Sequence, residues 1–281
     1  QYEKGKWYTF YGAPYGYSHT VTIANGDLVS DNLGSNGDNA GDVNGDGYAD
    51  QIVGGRQSVR VLLGGPGFVN YQSQWDYFGL NDEVALVKGI GDVNGDGFDD
   101  IAYQDKNDII QVTYGSSNGI VINSQWNLSQ VAGYPYAGQA ELIGRLGDWN
   151  QDGYDDMLVA KGGTKAYVIN GTSSGLSSHV SMILENSDSA LFNRVAKSLG
   201  DYDGDGVREV IIGAHQNSAV YIFDLDADPP IIADWQVESN QQEANLGAVV
   251  ANAGDVNGDG LNDFLVGSAN YDETYINNGK V

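Results

Sequence analysis

Asp42-Val43-Asn44-Gly45-Asp46-Gly47-Tyr48-Ala49-Asp50 occurs in five versions along the chain, and the architecture follows from it. The other four are Asp92–Asp100 (DVNGDGFDD), Asp148–Asp156 (DWNQDGYDD), Asp201–Glu209 (DYDGDGVRE) and Asp255–Asp263 (DVNGDGLND). Each has Asp at position 1, Asn or Asp at 3, Asp at 5, Gly at 6 and an acid at 9, and a Gly precedes every position 1. Carboxylates gathered this closely repel one another unless a cation lies among them. Hard divalent cations want oxygen ligands, and Ca²⁺ accepts about six to eight of them in flexible geometry.

The expected ligands follow from this spacing. Side chains at positions 1, 3, 5 and 9, with the backbone carbonyl of position 7, form five sets. They are Asp42, Asn44, Asp46, Tyr48 and Asp50; Asp92, Asn94, Asp96, Phe98 and Asp100; Asp148, Asn150, Asp152, Tyr154 and Asp156; Asp201, Asp203, Asp205, Val207 and Glu209; and Asp255, Asn257, Asp259, Leu261 and Asp263. Gly at position 6 permits a sharp turn at positive φ. The opening residues also match an EF-hand loop, which needs Glu at position 12 between two helices. Position 12 holds Val53, Tyr103, Val159, Ile212 and Val266, and strand formers such as Phe264-Leu265-Val266 follow each loop. A Ca²⁺ loop between two β-strands is therefore expected. Asx turns without metal would need no acid at position 9.

Position 1 advances by 50, 56, 53 and 54 residues, a propeller-like period. Each unit reads as four strands. One precedes the loop (Ala248-Val249-Val250) and one follows it (Gln51-Ile52-Val53). A third alternates apolar residues (Val59–Leu62, Ile110–Tyr114, Ala166–Ile169, Ala219–Phe223), and a fourth ends near Trp75, Trp126, Met182 or Trp235. The expected fold is an all-β propeller of about five four-stranded blades, in one domain over 1–281. The blades fall near 25–75, 76–126, 127–182, 183–235 and 236–281, the last completed by 1–24. The recurring Trp residues are expected to pack between blades. Gly5–Gly12 and His19–Ile23 read as the completing strands, so the ring would close on itself. Strand donation to a neighbouring molecule, or a longer propeller of which this is a segment, are the rival solutions.

The units resemble the FG-GAP repeats of integrin α-subunit propellers. The first signature element stands as Leu33-Gly34 and Leu246-Gly247, the second as Val53-Gly54-Gly55, Ile212-Gly213-Ala214 and Val266-Gly267-Ser268. The middle two units keep the loop and largely lose both signatures. The resemblance implies Ca²⁺ between a blade's first two strands. It also implies seven blades, whereas this chain has room for five.

Composition narrows the function. With 38 Asp plus Glu against 13 Lys plus Arg, the formal net charge is −25, which disfavours nucleic acid and anionic membrane partners. No apolar run reaches the length of a membrane-spanning helix. There is no Cys. Loops that need millimolar Ca²⁺ fill outside cells, and the start at Gln1 fits a mature secreted form, so an extracellular or cell-surface setting is expected. No nucleophile elbow, phosphate loop or zinc spacing occurs, so no catalytic residue is expected. The Ca²⁺ ions, about five, would be structural.

Ligands should meet the face opposite the metal loops, where connections vary. Candidate residues there are Arg56, Gln104, Lys106, Lys161, His215, Asn270 and Tyr271, whose amide, charged and aromatic groups suit sugar hydroxyls and ring faces. Tyr134-Pro135-Tyr136 could form an exposed aromatic loop. The leading expectation is a secreted binding or adhesion module recognising carbohydrate, with an extracellular protein as the other partner class. A filament or surface-layer subunit, self-associating through terminal strands, and a polysaccharide-acting enzyme are the alternatives.

Overall fold

The computed structural model describes residues 5–13, 16–25, 32–56, 58–66, 75–78, 84–105, 109–134, 140–161, 164–185, 192, 195–226, 231–241 and 243–272. Among these the chain is all-β, with two single-turn 3₁₀ helices, Leu128–Gln130 and His215–Asn217. It divides into two compact units. One holds residues 1–131, 153–155 and 171–176, and the other holds the remainder.

The first unit begins with an antiparallel hairpin, β1 (Lys6–Ala13) and β2 (Gly16–Asn25). A four-stranded antiparallel sheet follows, formed in order by β3 (Asn36–Gly41), β4 (Asp50–Gly54), β5 (Ser58–Leu62) and β6 (Trp75–Phe78). The next sheet repeats the pattern with β7 (Val84–Gly91), β8 (Asp100–Asp105), β9 (Ile110–Tyr114) and β10 (Val121–Asn127). The central strands are apolar on both faces because each sheet is covered on both sides. From the first sheet, Ile52, Val59 and Val61 pack with Val87, Ile101 and Tyr103 of the second. The opposite face, Val53 and Leu62, packs with Ala24, Leu33, Trp7 and Tyr11. Period-2 alternation thus sends neighbouring residues Ile52 and Val53 into different layers.

The second unit repeats this stacking. Its first sheet runs β11 (Ala140–Gly147), β12 (Asp156–Lys161), β13 (Lys165–Ile169) and β14 (Met182–Glu185). The expected four strands become five, because β18 (Ile231–Ile232) adds in parallel to the edge of β14. That strand comes from the connection within the next sheet and covers an edge that would otherwise be open. The next sheet holds β15 (Ala196–Gly200), β16 (Glu209–Ala214), β17 (Ala219–Asp224) and β19 (Trp235–Glu238). The last described pair is β20 (Leu246–Gly254) with β21 (Asp263–Ser268). Val210 and Ile212 face Leu158 and Val168, while Ile211 and Val220 face Val250.

The signature glycines earn their place by close backbone approach. A Cβ on Gly213 would lie 2.1 Å from the Gly247 carbonyl oxygen, and one on Gly247 would lie 2.5 Å from that of Ala219. The two halves of the FG-GAP pattern therefore meet where one sheet rests on the next. In the first unit the Gly34 N–H donates to the Gly54 carbonyl at 3.0 Å.

Two aromatic expectations need correction. Trp235 is 41% exposed rather than packed away, although its ring meets Phe264 edge-on at 6.2 Å. It lies on β19, the outer strand of its sheet, where one flank faces solvent. Tyr134 is buried, edge-on against Tyr167 at 5.0 Å, so it forms no exposed aromatic loop. Tyr136 and the Trp75 side chain lie outside the described residues.

Candidate metal loops

Every nine-residue repeat connects the first strand of a sheet to the second: β3 to β4, β7 to β8, β11 to β12, β15 to β16 and β20 to β21. In the first loop the position-1 carboxylate gathers backbone donors. Asp42 Oδ1 accepts from Gly45 N at 2.7 Å and Asp46 N at 3.0 Å, and Asp42 Oδ2 accepts from Gly47 N at 2.8 Å. Asp92 and Asp255 accept from the same three positions, and Asp201 accepts from Gly204 and Gly206. In the third loop Asp152 N donates to Asp148 Oδ1. Position 5 accepts from the position-7 N–H in four loops: Asp46 from Tyr48, Asp96 from Phe98, Asp205 from Val207 and Asp259 from Leu261.

Positive φ makes this winding possible. Gly47, Gly97, Gly153, Gly206 and Gly260 at position 6 have φ between 86° and 95°. Position 4 is left-handed too, including the non-glycine Gln151 at φ 57°.

The position-9 acid sits beneath the loop rather than on its rim. Asp50, Asp100, Asp156 and Glu209 are almost wholly buried and Asp263 is half-buried, whereas position 5 is exposed in every loop and positions 1 and 3 are half-buried or exposed. Each position-9 acid accepts from the position-2 N–H: Asp50 from Val43, Asp100 from Val93, Asp156 from Trp149, Glu209 from Tyr202 and Asp263 from Val256. Asp50 and Asp100 also accept from Gly64 N and Gly115 N, just past the third strand. Burial pushes the Asp50 carboxyl up to about 6, Asp100 to about 8 and Glu209 to about 7. These backbone bonds pull the other way, and the acids at neighbouring loop positions raise the values further. By contrast, backbone N–H groups, Gly260 first, hold exposed Asp255 below the ordinary carboxylate range.

The fourth loop fits a hard cation most openly. One oxygen each from Asp201, Asp203 and Glu209 lie within 4.8 Å of one another, and Glu209 Oε1 is buried with no hydrogen-bond partner. A buried carboxylate oxygen left without a donor is costly unless a cation completes it. This loop alone has Asp at position 3; the other four have Asn.

Two loop positions bind sheet to sheet. The position-8 residue reaches the preceding repeat: Asp99 to Asp42, Asp155 to Asp92, and Asn262 Nδ2 to the Leu199 carbonyl on β15. The position-7 side chain covers the preceding position-4 glycine. Phe98 lies over Gly45, Tyr154 over Gly95 and Leu261 over Gly204. Where position 4 is Gln151, the next loop carries only Val207 at position 7.

Among known proteins, integrin alpha-5 of Xenopus laevis is 26% identical over 284 aligned positions, covering 80% of this chain and 26% of that protein. Integrin alpha-V of Gallus gallus is 27% identical over 204 positions, covering 62% of this chain and 19% of that protein. The chain is related to the integrin α-subunit FG-GAP propellers. No protein-family model matches it. The integrin-like chain thus spans well under two thirds of either relative's length.

The candidate ligand residues of the integrin-like chain separate. Gln104 is 2% exposed within β8, so strand burial removes it from any ligand surface. Arg56 and Asn270 are exposed on the connections that follow second strands. Tyr271 and His215 are half-buried there, and His215 Nδ1 is buried without a hydrogen-bond partner. Lys161 closes β12, and Lys106 lies outside the described residues. No helix among the described residues is long and apolar enough to cross a membrane.

Proposed function

We propose that the chain is an adhesion-type binding module of the extracellular space or cell surface, built as a five-bladed propeller with Ca²⁺ in each of its five loops. The observation that carries this reading is the fourth loop, where Glu209 Oε1 lies buried and unpartnered beside Asp201 and Asp203. The integrin relatives supply the adhesion setting. Positions 1, 3, 5 and 9 of every loop would hold the ion, joined by the position-7 carbonyl. The bound cation would neutralise acids that otherwise repel and would add stability by binding the folded state alone.

In this reading the β1–β2 hairpin and the β20–β21 pair are two halves of the fifth blade. Among the described residues each is two-stranded, and hairpin residues Trp7 and Tyr11 already pack on the first four-stranded sheet. Ligand recognition falls to the connections at the strand ends away from the metal, with carbohydrate as the ligand. The polar and aromatic groups on those connections suit binding of hydroxyls and ring faces. A glycan array probed with and without chelator tests this. Saturable glycan binding by the Ca²⁺-loaded chain supports the reading, and uniform absence of binding to glycans removes the carbohydrate part.

A further inference from the structure

A cavity of about 330 Å³ opens at the end of the last described sheet, lined by Glu238, Asn240, Leu246, Val266 and Tyr271 among others. Leu246 pairs with Ser268 at this end of β20 and β21, while Gly254 pairs with Asp263 beside the metal loop at the other. The cavity is therefore separated from the fifth loop by the length of the strands.

Its walls are held in place. Ser239 N donates to the Ser218 carbonyl at 2.8 Å, Asn270 N to the Ala244 carbonyl at 3.0 Å and Asp272 N to Gln241 Oε1 at 2.7 Å. Gln241 Nε2 donates in return to the Asp272 carbonyl. These bonds tie the connection after β19 to the turn after β21, which leaves a largely preformed site. Ser268 Oγ is already spent on the Ala244 carbonyl, so recognition rests on the other groups.

The charge around the cavity limits what enters. Residues 209–279 contain no Lys or Arg. Glu238 lines the cavity, and Glu243 and Asp272 stand on the same two connections. No Lys or Arg lines the cavity, so its walls offer an anionic ligand no countercharge. For a cation these carboxylates are exposed, and an ion pair open to water contributes only about 0–1 kcal/mol. The rest of the lining combines half-buried apolar Leu246 and Val266 with half-buried Tyr271 and exposed Glu238 and Asn240. That set matches an uncharged ring with a C–H face and several hydroxyls. The volume lies near the lower end of ligand pockets, about 300–1,000 Å³, and suits one such ring.

We propose that this cavity binds the neutral pyranose end of a glycan, a proposal that rests on the carbohydrate reading above and gives it a site. The test is saturation-transfer NMR on the intact Ca²⁺-loaded chain with the methyl glycosides of glucose, galactose and mannose, with methyl glucuronide and with butylammonium. At least one neutral glycoside should receive saturation, and the uronide should receive none. Tyr271→Ala should weaken that binding about tenfold, and Tyr271→Phe should stay close to wild type. Asn240 is exposed, so Asn240→Ala should weaken binding with an unchanged melting temperature, which separates recognition from folding. Neutral sugar bound equally by wild type, Tyr271→Ala and Asn240→Ala overturns the site and leaves the carbohydrate reading standing. No sugar bound by any form overturns both. Butylammonium that displaces the sugar, or binds in its place, overturns the neutral-ligand assignment.

Discussion

Asp99 and Asp42 clasp each other across two sheets: the Asp42 N–H donates to Asp99 Oδ2 at 2.7 Å, and the Asp99 N–H returns to the Asp42 carbonyl at 3.0 Å. Asp155 and Asp92 repeat the arrangement at 3.0 and 2.9 Å. The first residue of one candidate metal loop is thus fixed by the eighth residue of the next. A loop so held can order its carboxylates before any ion arrives, and its stability is shared with its neighbour.

Removing that clasp should cost stability without removing a metal ligand. A charged, half-buried hydrogen bond of this kind contributes about 1.5–3 kcal/mol. Asp99→Ala should lower the melting temperature of the Ca²⁺-loaded chain by several degrees. Asp99→Asn, whose amide oxygen still accepts, should lose less. Equal melts for wild type and Asp99→Ala would show that the clasp contributes nothing.

Gly45 and Gly47 are both left-handed, yet they should respond differently to alanine. Gly47 has φ 86° and open space where a Cβ would stand, so Gly47→Ala costs the backbone term alone, about 1–2 kcal/mol. A Cβ on Gly45 would lie 2.6 Å from the Phe98 ring. Gly45→Ala should therefore destabilise more than Gly47→Ala. Adding Phe98→Leu should recover part of the difference, because the two positions are in contact. Urea melts of the three variants check the order, and a larger loss at Gly47 would refute it.

Asp46→Ala should harm the scaffold more than the ligand site. Asp46 bonds only within its own loop in the first unit, whereas the proposed sugar cavity lies wholly within the second. The expected outcome is a lower melt with glycan affinity retained below that melt. Lost glycan binding with a normal melt would mean that this metal loop touches ligand.

The repeat made much of this legible. Spacing at positions 1, 3, 5, 6 and 9 gave the loops, and the strand formers behind them placed each loop between a sheet's first two strands. Ile52 and Val53 were readable as strand, but only the stacked sheets show that they feed separate layers. Positions 7 and 8 were obscure because their side chains act on the neighbouring loop: Phe98 covers Gly45, and Asp99 accepts from the Asp42 N–H. A short residue at position 7 following Gln151 was the available signal. Gln104 misled because a polar residue at a strand end resembles a loop residue until its burial is known. β18 escaped because its two residues pair with another repeat's edge.

Proton uptake should oppose calcium. In the metal-free chain the folded-state values of Asp50, Asp100 and Glu209 lie near 6, 8 and 7, above their ordinary 3.8 to 4.5. The folded form then binds more protons than the unfolded form, so this contribution is present at low pH and is lost as pH rises from about 4 to about 8. The chelated chain should melt higher at pH 5 than at pH 8. Calcium needs the ionised acids, so its stabilising increment should grow over the same range, with proton release on binding. A chelated melt that rises with pH would contradict this.

The most direct test counts metal. The chain, dialysed against buffered Ca²⁺ and assayed by elemental analysis, should retain about five Ca²⁺ per molecule, one for each loop of the repeat. Excess chelator should strip these ions and lower the melt sharply. A dialysed chain that holds no calcium, and melts at the same temperature with and without chelator, would contradict the account.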